Sequence, residues 1–354
     1  TYVQTRVGEH KGYEYSRTQN PTRHALENAF AELEGANHGL AFASGLAAID
    51  NLLKLLKPGD EVISTNDLYG GSYRLFTTIF ANYGIKFHFV NLDNCESTLS
   101  EVVNENTRMI WIETPTNPMM QITDIQAVSN AVKGKNILVC VDNTFATPML
   151  QQPLYQGADV VMHSATKYLG GHSDVVMGCL MVNDDELNDK LRTLQNSCGG
   201  VAGPMDCFLV MRGLKTLHLR IARHCENGKA VVAYLKTNDQ VEKIYWPGLE
   251  SHPGHEIASR QMSDFGGMVA FTLKGDSLAS ANTFVESTKI FTLAESLGGV
   301  ESLIGHPASM THASIPKEIR EKVGVTDGLI RLSIGIEDAV DIIEDLKLAF
   351  KEIL

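Results

Sequence analysis

Two neighbouring stretches of the sequence decide the fold, and each is a strand-length apolar run that leads into a reactive side chain. The first reads ILVCVDNT over residues 137–144, and the second reads DVVMHSATK over residues 159–167. Continuous apolar runs of this length are typical of strands buried in a parallel sheet. The first run leads into Asp142 and the second into Lys167. Because ligands bind beyond the carboxyl ends of parallel strands, we expect this carboxylate and this amine at one edge of the sheet.

The rest of the amino-terminal part alternates between helix and strand patterns. Residues 22–34 and 45–56 place apolar side chains at helical spacing, and the two patterns end at Gly35 and at Pro58-Gly59. Short apolar or β-branched runs predict strands at residues 61–65, 86–90, 109–112, 137–141, 159–162 and 175–182. Strands that alternate with helices form βαβ units, so the sequence predicts an α/β fold with a mostly parallel central sheet.

The pattern changes beyond about residue 212. A long helical stretch is followed by a Pro/Gly-rich segment, by two strand-like runs at 268–273 and 329–334, and by a closing amphipathic helix with Ile342 and Leu346. This order predicts a smaller α+β domain. We therefore expect one domain over residues 21–211 and a second over residues 212–354.

Composition argues against several classes of function. The chain has 354 residues, and its 30 basic and 42 acidic side chains give a net charge of −12, whereas nucleic acids and anionic membranes favour a basic face. No apolar run approaches the roughly 20 residues that cross a bilayer, and residues 1–12 lack the apolar block of a secretory signal. Six cysteines are too sparse for a disulfide framework, and the twelve histidines show no zinc spacing. These features predict a cytoplasmic protein that binds neither nucleic acid, membrane nor metal.

The glycine-rich signatures of dinucleotide-binding folds and P-loop NTPases are absent, which argues against those two ligand classes. A lysine and an aspartate at adjacent strand ends instead favour pyridoxal phosphate. Pyridoxal phosphate needs a lysine for a Schiff base, a carboxylate for its ring nitrogen and a cradle for its phosphate. Ser44-Gly45-Leu46 opens the second predicted helix, where free N–H groups favour an anion, and Ser164 and Thr166 add hydroxyl donors. Tyr69 follows a predicted strand and is placed to stack on the ring.

Each of these residues taken singly also fits an ordinary structural place. Asp142 could be a solvated turn residue, Lys167 a surface lysine, Ser44 a helix N-cap and Tyr69 a packed loop residue. The combination of acid, amine and anion cradle favours the cofactor site.

Several motifs, in order along the whole chain, resemble the Cys/Met-metabolism group of pyridoxal-phosphate enzymes. They are Tyr15-Ser16-Arg17 with Asn20-Pro21-Thr22, Ser44-Gly45-Leu46-Ala47, Tyr69-Gly70-Gly71, Glu113-Thr114-Pro115-Thr116-Asn117-Pro118, Val141-Asp142-Asn143-Thr144, Ser164-Ala165-Thr166-Lys167, Glu295-Ser296-Leu297-Gly298-Gly299 and Arg331-Leu332-Ser333. The resemblance implies the fold type I architecture of pyridoxal-phosphate transferases, similar to aspartate aminotransferase. It also implies a homotetramer built from two active dimers, with residues 1–20 as the remnant of an arm that contacts a neighbouring subunit.

The resemblance implies a role for each matching residue. Lys167 is expected to form the Schiff base, Asp142 to pair with the ring nitrogen, and Tyr69 to stack and to transfer a proton. Arg331 is expected to bind the α-carboxylate of a small amino-acid substrate, because a guanidinium offers paired donors. The expected cofactor ligands are Tyr15 and Arg17 from a neighbouring subunit and, from the same chain, Ser44, Gly45, Leu46, Thr144, Ser164 and Thr166, while Asn117 and Ser296 are expected to assist Arg331.

Two further charges bear on the choice of substrate. Arg74 lies on the helix after Tyr69 and is expected to meet a distal carboxylate, and Glu295 is expected to meet a distal amino group. This pair suits a substrate with charges at both ends, such as L-cystathionine. Gly71 stands where methionine γ-lyases carry a cysteine, which argues against that activity.

The resemblance therefore implies α,γ-elimination on L-cystathionine to cysteine, 2-oxobutanoate and ammonia, with hydrogen sulfide release from cysteine or homocysteine as a side reaction. Replacement of the acyl group of an activated homoserine by cysteine is the alternative, because both reactions use nearly all of these residues. Two interpretations from other classes stay open: a cofactor-free, aldolase-type lysine enzyme, which leaves Asp142 and the phosphate cradle without a joint purpose, and a non-catalytic scaffold. A yellow colour on purification distinguishes both from the cofactor enzyme.

Overall fold

The computed structural model describes residues 1–311, 313 and 317–353. Within these residues the large sheet has seven strands in the spatial order β3-β9-β8-β7-β6-β4-β5. Their bounds are β3 His38–Phe42, β4 Glu61–Thr65, β5 Lys86–Val90, β6 Thr107–Glu113, β7 Leu138–Asp142, β8 Val160–Ser164 and β9 Gly178–Val182. Only β9 runs antiparallel to its neighbours, so the prediction of a mostly parallel sheet is confirmed.

The central strands of this sheet are buried on both faces. Trp111, Val139, Cys140 and Val160 are each at most 2% exposed, and they belong to apolar clusters on the two sides of the sheet. Helices cover both faces, which is why these strands read as continuous apolar runs rather than as alternating patterns.

The helices of the large domain surround this sheet. They are α1 Pro21–Glu34, α2 Gly45–Leu53, α3 Gly70–Arg74, α4 Cys95–Val102, α5 Ile125–Ala131, α6 Thr147–Leu150, α7 Asp185–Cys198 and α8 Pro204–Leu214, with a π-helical turn at Leu75–Ile79 and 3₁₀ turns at Phe80–Tyr83 and Pro153–Gln156. The side chain of Asn20 caps the start of α1 by accepting from the N–H groups of Thr22 and Arg23. Gly35 ends the helix with a φ of 68°, a left-handed conformation that favours glycine.

Two predicted elements of the large domain extend about three residues beyond the observed ones. The helix predicted to reach residue 56 ends at Leu53, because the N–H groups of Leu55 and Leu56 bond three residues back and tighten the last turn. The strand predicted at 175–182 begins at Gly178, because the N–H of Met177 bonds to the hydroxyl of Thr166 instead of to a neighbouring strand.

The carboxyl-terminal region forms a second sheet with the strand order β10-β11-β14-β13-β12 among the described residues. Its elements are α9 Leu217–Leu235, β10 Val241–Tyr245, α10 His255–Gln261, β11 Met268–Leu273, α11 Leu278–Ser287, β12 Thr292–Leu293, β13 Leu303–Gly305, α12 Lys317–Lys322, β14 Leu329–Ser333 and α13 Ala339–Lys351. Phe271, Phe284 and Phe350 pack between the sheet and its helices, so a separate core supports this smaller α+β domain. The predicted boundary at residues 211/212 lies inside α8, and the division at that point stays a prediction.

The first twenty residues pack loosely against the rest. A short antiparallel pair joins β1 Gln4–Arg6 to β2 Glu9–His10, and most side chains of this segment are exposed. Across the described ranges of the chain, no helix is both long and apolar enough to cross a membrane.

Candidate active site

A cavity of about 300 Å³ lies beyond the carboxyl ends of β6, β7 and β8. It gathers most of the side chains that the sequence pointed to, and several that it did not. Its walls are formed by Ser44, Gly45, Leu46, Ile49, Tyr69, Glu113, Asn117, Asp142, Thr144, Phe145, Met162, Ser164, Thr166, Lys167, Val176, Glu295, Ser296, Leu297, Thr311 and Arg331. A wider cleft of about 1220 Å³ beside β10 contains none of these residues.

Lys167 lies in the turn that follows β8. Its Nζ donates a hydrogen bond of 2.9 Å to the hydroxyl of Ser296. Burial and, to a smaller extent, the charge of Arg331 lower the pKa of this amine to about 8, against the opposing charge of Glu295. About a tenth of the amine is therefore uncharged at pH 7, and an uncharged amine can attack an aldehyde or accept a proton.

Asp142 ends β7, as expected from the apolar run that precedes it. One carboxylate oxygen accepts from the N–H of Thr144 at 3.0 Å and from its hydroxyl at 2.6 Å. Burial raises the pKa of Asp142, while the Thr144 bonds and the nearby His163 act in the opposite direction. A cation that binds next to this buried carboxylate would favour its ionised form, which is the role that a protonated ring nitrogen plays.

The start of α2 forms a concave wall against the end of β8. Gly45 packs so closely that a Cβ there would lie 3.1 Å from the Cβ of Ser164, and a Cβ on Gly178 would lie 2.3 Å from the carbonyl oxygen of Ser44. The missing side chains let the start of the helix, Ser164 and Thr166 line one small space, in which the Thr166 hydroxyl is bonded to the backbone of Met177. Such a cradle fits a phosphate group.

Arg331 comes from β14 of the smaller domain and closes the opposite side of the cavity. Its guanidinium donates to the side-chain oxygen of Asn117 at 3.0 Å and to the carbonyl oxygen of Ser296 at 2.9 Å, while its Nε has no partner within the described part of the chain. Burial lowers its pKa to about 10. Among the described residues no carboxylate forms an ion pair with it, although it is only 4% exposed. A buried guanidinium without a counter-ion favours an anionic ligand group, such as an α-carboxylate.

Glu113, at the end of β6, is a cavity residue to which the sequence gave no role. Its carboxyl oxygens accept from the N–H of Tyr69 at 2.8 Å and from the N–H of Asn117 at 3.1 Å. Burial, and then the charge of Asp142, raise its pKa well above the ordinary value. Its place directly after an apolar strand is the same signal that pointed to Asp142, and that signal could have found it.

Tyr69 and Glu295 lie near the mouth of the cavity. Tyr69 is 40% exposed, and its ring lies over Gly71 so closely that a Cβ there would be 2.3 Å from the ring. The absence of a side chain at Gly71 therefore determines where this ring can lie. Glu295 is exposed at the same cavity, and its negative charge acts on both Lys167 and Arg331.

Three of the expected site residues do not line the cavity. Arg17 is exposed, donates to the carbonyl and side-chain oxygens of Asn196, and lies 5.3 Å from the ring centre of Tyr15, which is also exposed. Arg74 at the end of α3 is exposed as well. The contacts expected of Tyr15, Arg17 and Arg74 stay predictions.

Comparison with known proteins gives the site its chemical context. The model of the family described as Cys/Met metabolism PLP-dependent enzyme matches residues 1–351. The chain belongs to this family. It has the fold type I architecture that the motifs implied, and pyridoxal phosphate is the family's cofactor.

Relatives within this family differ in the activity for which they are named. The chain is 52% identical over 352 residues to a cystathionine β-lyase of Lactococcus lactis subsp. cremoris, covering 99% of this chain and 92% of the relative. It is also 52% identical over 350 residues to a cystathionine γ-lyase of Dictyostelium discoideum, with coverages of 99% and 90%. The solved structure of a cystathionine γ-synthase of Xanthomonas oryzae pv. oryzae in complex with cystathionine matches with a TM-score of 0.96 and 44% identity, covering 99% of this chain and 91% of that one.

Proposed function

We propose that this chain is a cystathionine γ-lyase, which cleaves L-cystathionine with water to cysteine, 2-oxobutanoate and ammonia. The observation that carries the proposal is the charge arrangement around Lys167. Arg331 offers an anion site at one side of the cavity, and the carboxylate of Glu295 lies at its mouth. L-cystathionine carries an amino-acid group at each end, so the α-carboxylate of one end complements Arg331 and the ammonium group of the other end complements Glu295.

The residues present fit pyridoxal phosphate. The start of α2 at Ser44-Gly45-Leu46, with Ser164 and Thr166, would hold the phosphate, Asp142 the ring nitrogen and Tyr69 one face of the ring. When bound, the cofactor supplies an electron-accepting ring that stabilises negative charge on the substrate carbons next to its amino group.

Lys167 performs the proton transfers at the substrate carbons. In its uncharged form it takes the proton from Cα, gives that proton up to an acceptor that the bound cofactor would supply, and, uncharged again, takes a second proton from Cβ. The lowered pKa of its amine suits this task, because a base with a pKa near the working pH can both accept and return a proton. The bond between Cγ and sulfur then breaks with its electron pair on sulfur, and the hydroxyl of Tyr69 supplies the proton that makes the leaving thiolate a neutral thiol.

Two other activities of the family are outcomes of the same assay. β-Elimination would require Lys167 to remove only the Cα proton, and the Lactococcus relative is named for it. γ-Replacement would require a second amino acid, cysteine, to enter the cavity before water, and the Xanthomonas relative is named for that synthase activity.

The test is a product analysis on the purified, cofactor-loaded protein. L-cystathionine is supplied alone, and the keto acid and thiol are identified by mass spectrometry. We expect 2-oxobutanoate and cysteine in equal amounts. Pyruvate and homocysteine would instead identify a β-lyase. A separate assay supplies O-succinyl- or O-acetyl-homoserine with cysteine, and a larger kcat/KM for the ester than for cystathionine would identify a synthase.

We also propose a cytoplasmic homotetramer in which Tyr15 and Arg17 reach the cofactor phosphate of a neighbouring subunit. Both residues are exposed and neither lines the cavity of its own chain, which supports a contact between chains. Light scattering on the purified protein tests the tetramer. Replacing Arg17 by alanine should weaken cofactor affinity, and an unchanged affinity would contradict the contact.

A further inference from the structure

Glu113 is a buried carboxyl group in the cavity wall that no step of the proposed reaction uses. It is 4% exposed, and no basic side chain among the described residues pairs with it. Each of its two oxygens instead accepts one backbone N–H group, that of Tyr69 at 2.8 Å and that of Asn117 at 3.1 Å. Both accepting positions are therefore occupied by the backbones of two cavity residues.

The two bonded residues belong to opposite parts of the site. Tyr69 carries the exposed ring near the mouth of the cavity, whereas the side chain of Asn117 accepts from the guanidinium of Arg331 at 3.0 Å. A second buried carboxyl reinforces this link, because Asp67 accepts from the hydroxyl of Thr116 and from the N–H of Met119. The segment before α3 and the segment after β6 are thus joined by carboxyl groups rather than by apolar packing alone.

We infer that Glu113 is a positioning residue that sets the affinity for the substrate's α-carboxylate, by fixing the backbones of Tyr69 and Asn117 and, through Asn117, the guanidinium of Arg331. The inference rests on the proposed function only in taking an amino acid as the ligand.

The bonding requires a carboxyl group and not merely a polar side chain. An amide offers one accepting oxygen, and its NH₂ group would face one of the two backbone N–H groups as donor against donor. Burial and the neighbouring Asp142 raise the pKa of Glu113, yet a protonated carboxyl still has accepting lone pairs on both oxygens. Glu113→Gln therefore leaves one buried N–H unpaired with almost no change in volume, and Glu113→Ala leaves both unpaired.

The experiment measures kcat and KM for L-cystathionine, the dissociation constant of glycine from the change it causes in the visible absorption of the cofactor, and the melting temperature. Glycine carries the α-carboxylate but has no group to eliminate. We expect KM and the glycine dissociation constant to rise about 10-fold in Glu113→Gln and about 100-fold in Glu113→Ala, with a smaller change in kcat. Glu61→Gln is the matched control, since Glu61 is also a buried glutamate but lies at the amino end of β4 and does not line the cavity. It should lower the melting temperature without changing KM.

A double-mutant cycle separates positioning from a general loss of stability. Because Glu113 acts through Asn117, Glu113→Gln should raise the glycine dissociation constant by less than about 2-fold in an Asn117→Ala background. The inference would be overturned if the two substitutions raised the glycine dissociation constant independently, so that their single effects multiplied in the double variant. A KM and a glycine dissociation constant within 2-fold of wild type in Glu113→Gln would also overturn it. If the wild-type protein binds glycine but does not cleave L-cystathionine, the proposed function fails, while glycine binding still decides the role of Glu113.

Discussion

Replacing Arg331 by lysine tests the carboxylate site most directly, because the change keeps the charge and removes the planar, paired donors. Arg331 is 4% exposed and is held by Asn117 at 3.0 Å and Ser296 at 2.9 Å, so its fork faces the cavity in a fixed orientation. A lysine ammonium cannot donate to both of these oxygens and also pair with a carboxylate in the same geometry. Losing one charge-assisted hydrogen bond to the substrate costs about 1.5–3 kcal/mol, which corresponds to a rise in KM of roughly 10- to 150-fold.

Steady-state kinetics on L-cystathionine measure this rise, and the visible absorption of the bound cofactor shows that the variant is still loaded. Arg320→Lys is the matched control, because Arg320 is also a buried arginine of the smaller domain, where it donates to the carbonyl oxygen of Val325 at 2.8 Å and pairs with Asp327. Its replacement should lower stability and leave KM unchanged. A KM within 3-fold of wild type in Arg331→Lys would refute the assignment of the carboxylate to this guanidinium.

Three further predictions concern the amine and the buried polar groups behind it. Lys167→Ala should abolish both turnover and the visible absorption of the cofactor. Retention of either in dialysed protein would contradict the assignment of Lys167 as the residue that forms the Schiff base. The pKa of Lys167 is lowered to about 8, and only the uncharged amine attacks an aldehyde. The rate at which cofactor-free protein takes up pyridoxal phosphate should therefore rise about 10-fold per pH unit from pH 6 and level off above pH 8. A rate that does not change with pH in stopped-flow absorption would contradict this prediction. Glu34→Ala should lower the free energy of unfolding by about 3 kcal/mol in urea titrations, because His163 and Asn143 both lose a buried partner. Glu32→Ala, on the exposed side of the same helix, should change the free energy of unfolding little. Equal losses in the two variants would mean that the buried pair adds nothing.

The sequence predicted the large sheet well because its strands are buried on both faces. Continuous apolar runs locate β6, β7 and β8 within one or two residues, and they also locate the polar residues that follow them. This is why Asp142 and Lys167 could be assigned to one edge of the sheet from the sequence alone. Strand direction is not part of that pattern, and nothing in residues 175–182 distinguished the antiparallel β9 from its parallel neighbours.

The smaller sheet was predicted only in part, because some of its strands have no pattern of their own that marks them as strands. β12 has two residues, and β10 has half-buried and exposed residues with no continuous apolar run. Their pairing is determined by β11 and β13, which the local sequence does not contain. The same reason explains why the role of Glu113 was missed, since its partners are backbone groups whose positions follow from the assembled fold.

The expectations for Tyr15 and Arg17 could be formed only from the family motifs. Neither residue lines the cavity of its own chain, and a contact with a second chain leaves no periodic signal in the sequence. By contrast, the structure gives a steric reason for the glycine at position 71, because any side chain on Gly71 would displace the ring of Tyr69.

During synthesis, the side chains of the cavity become available in two groups. In the part of the chain that the structure describes, every strand of the large sheet lies between residues 38 and 182, so the residues from Ser44 to Lys167 can assemble while the carboxyl-terminal third is still unmade. The smaller sheet has to wait for β14, which pairs with both β11 and β13 and carries Arg331. A nascent chain therefore first completes the wall of the cavity that suits a phosphate and an aldehyde. Arg331, which suits the carboxylate of a free amino acid, is added only in the last stage of translation.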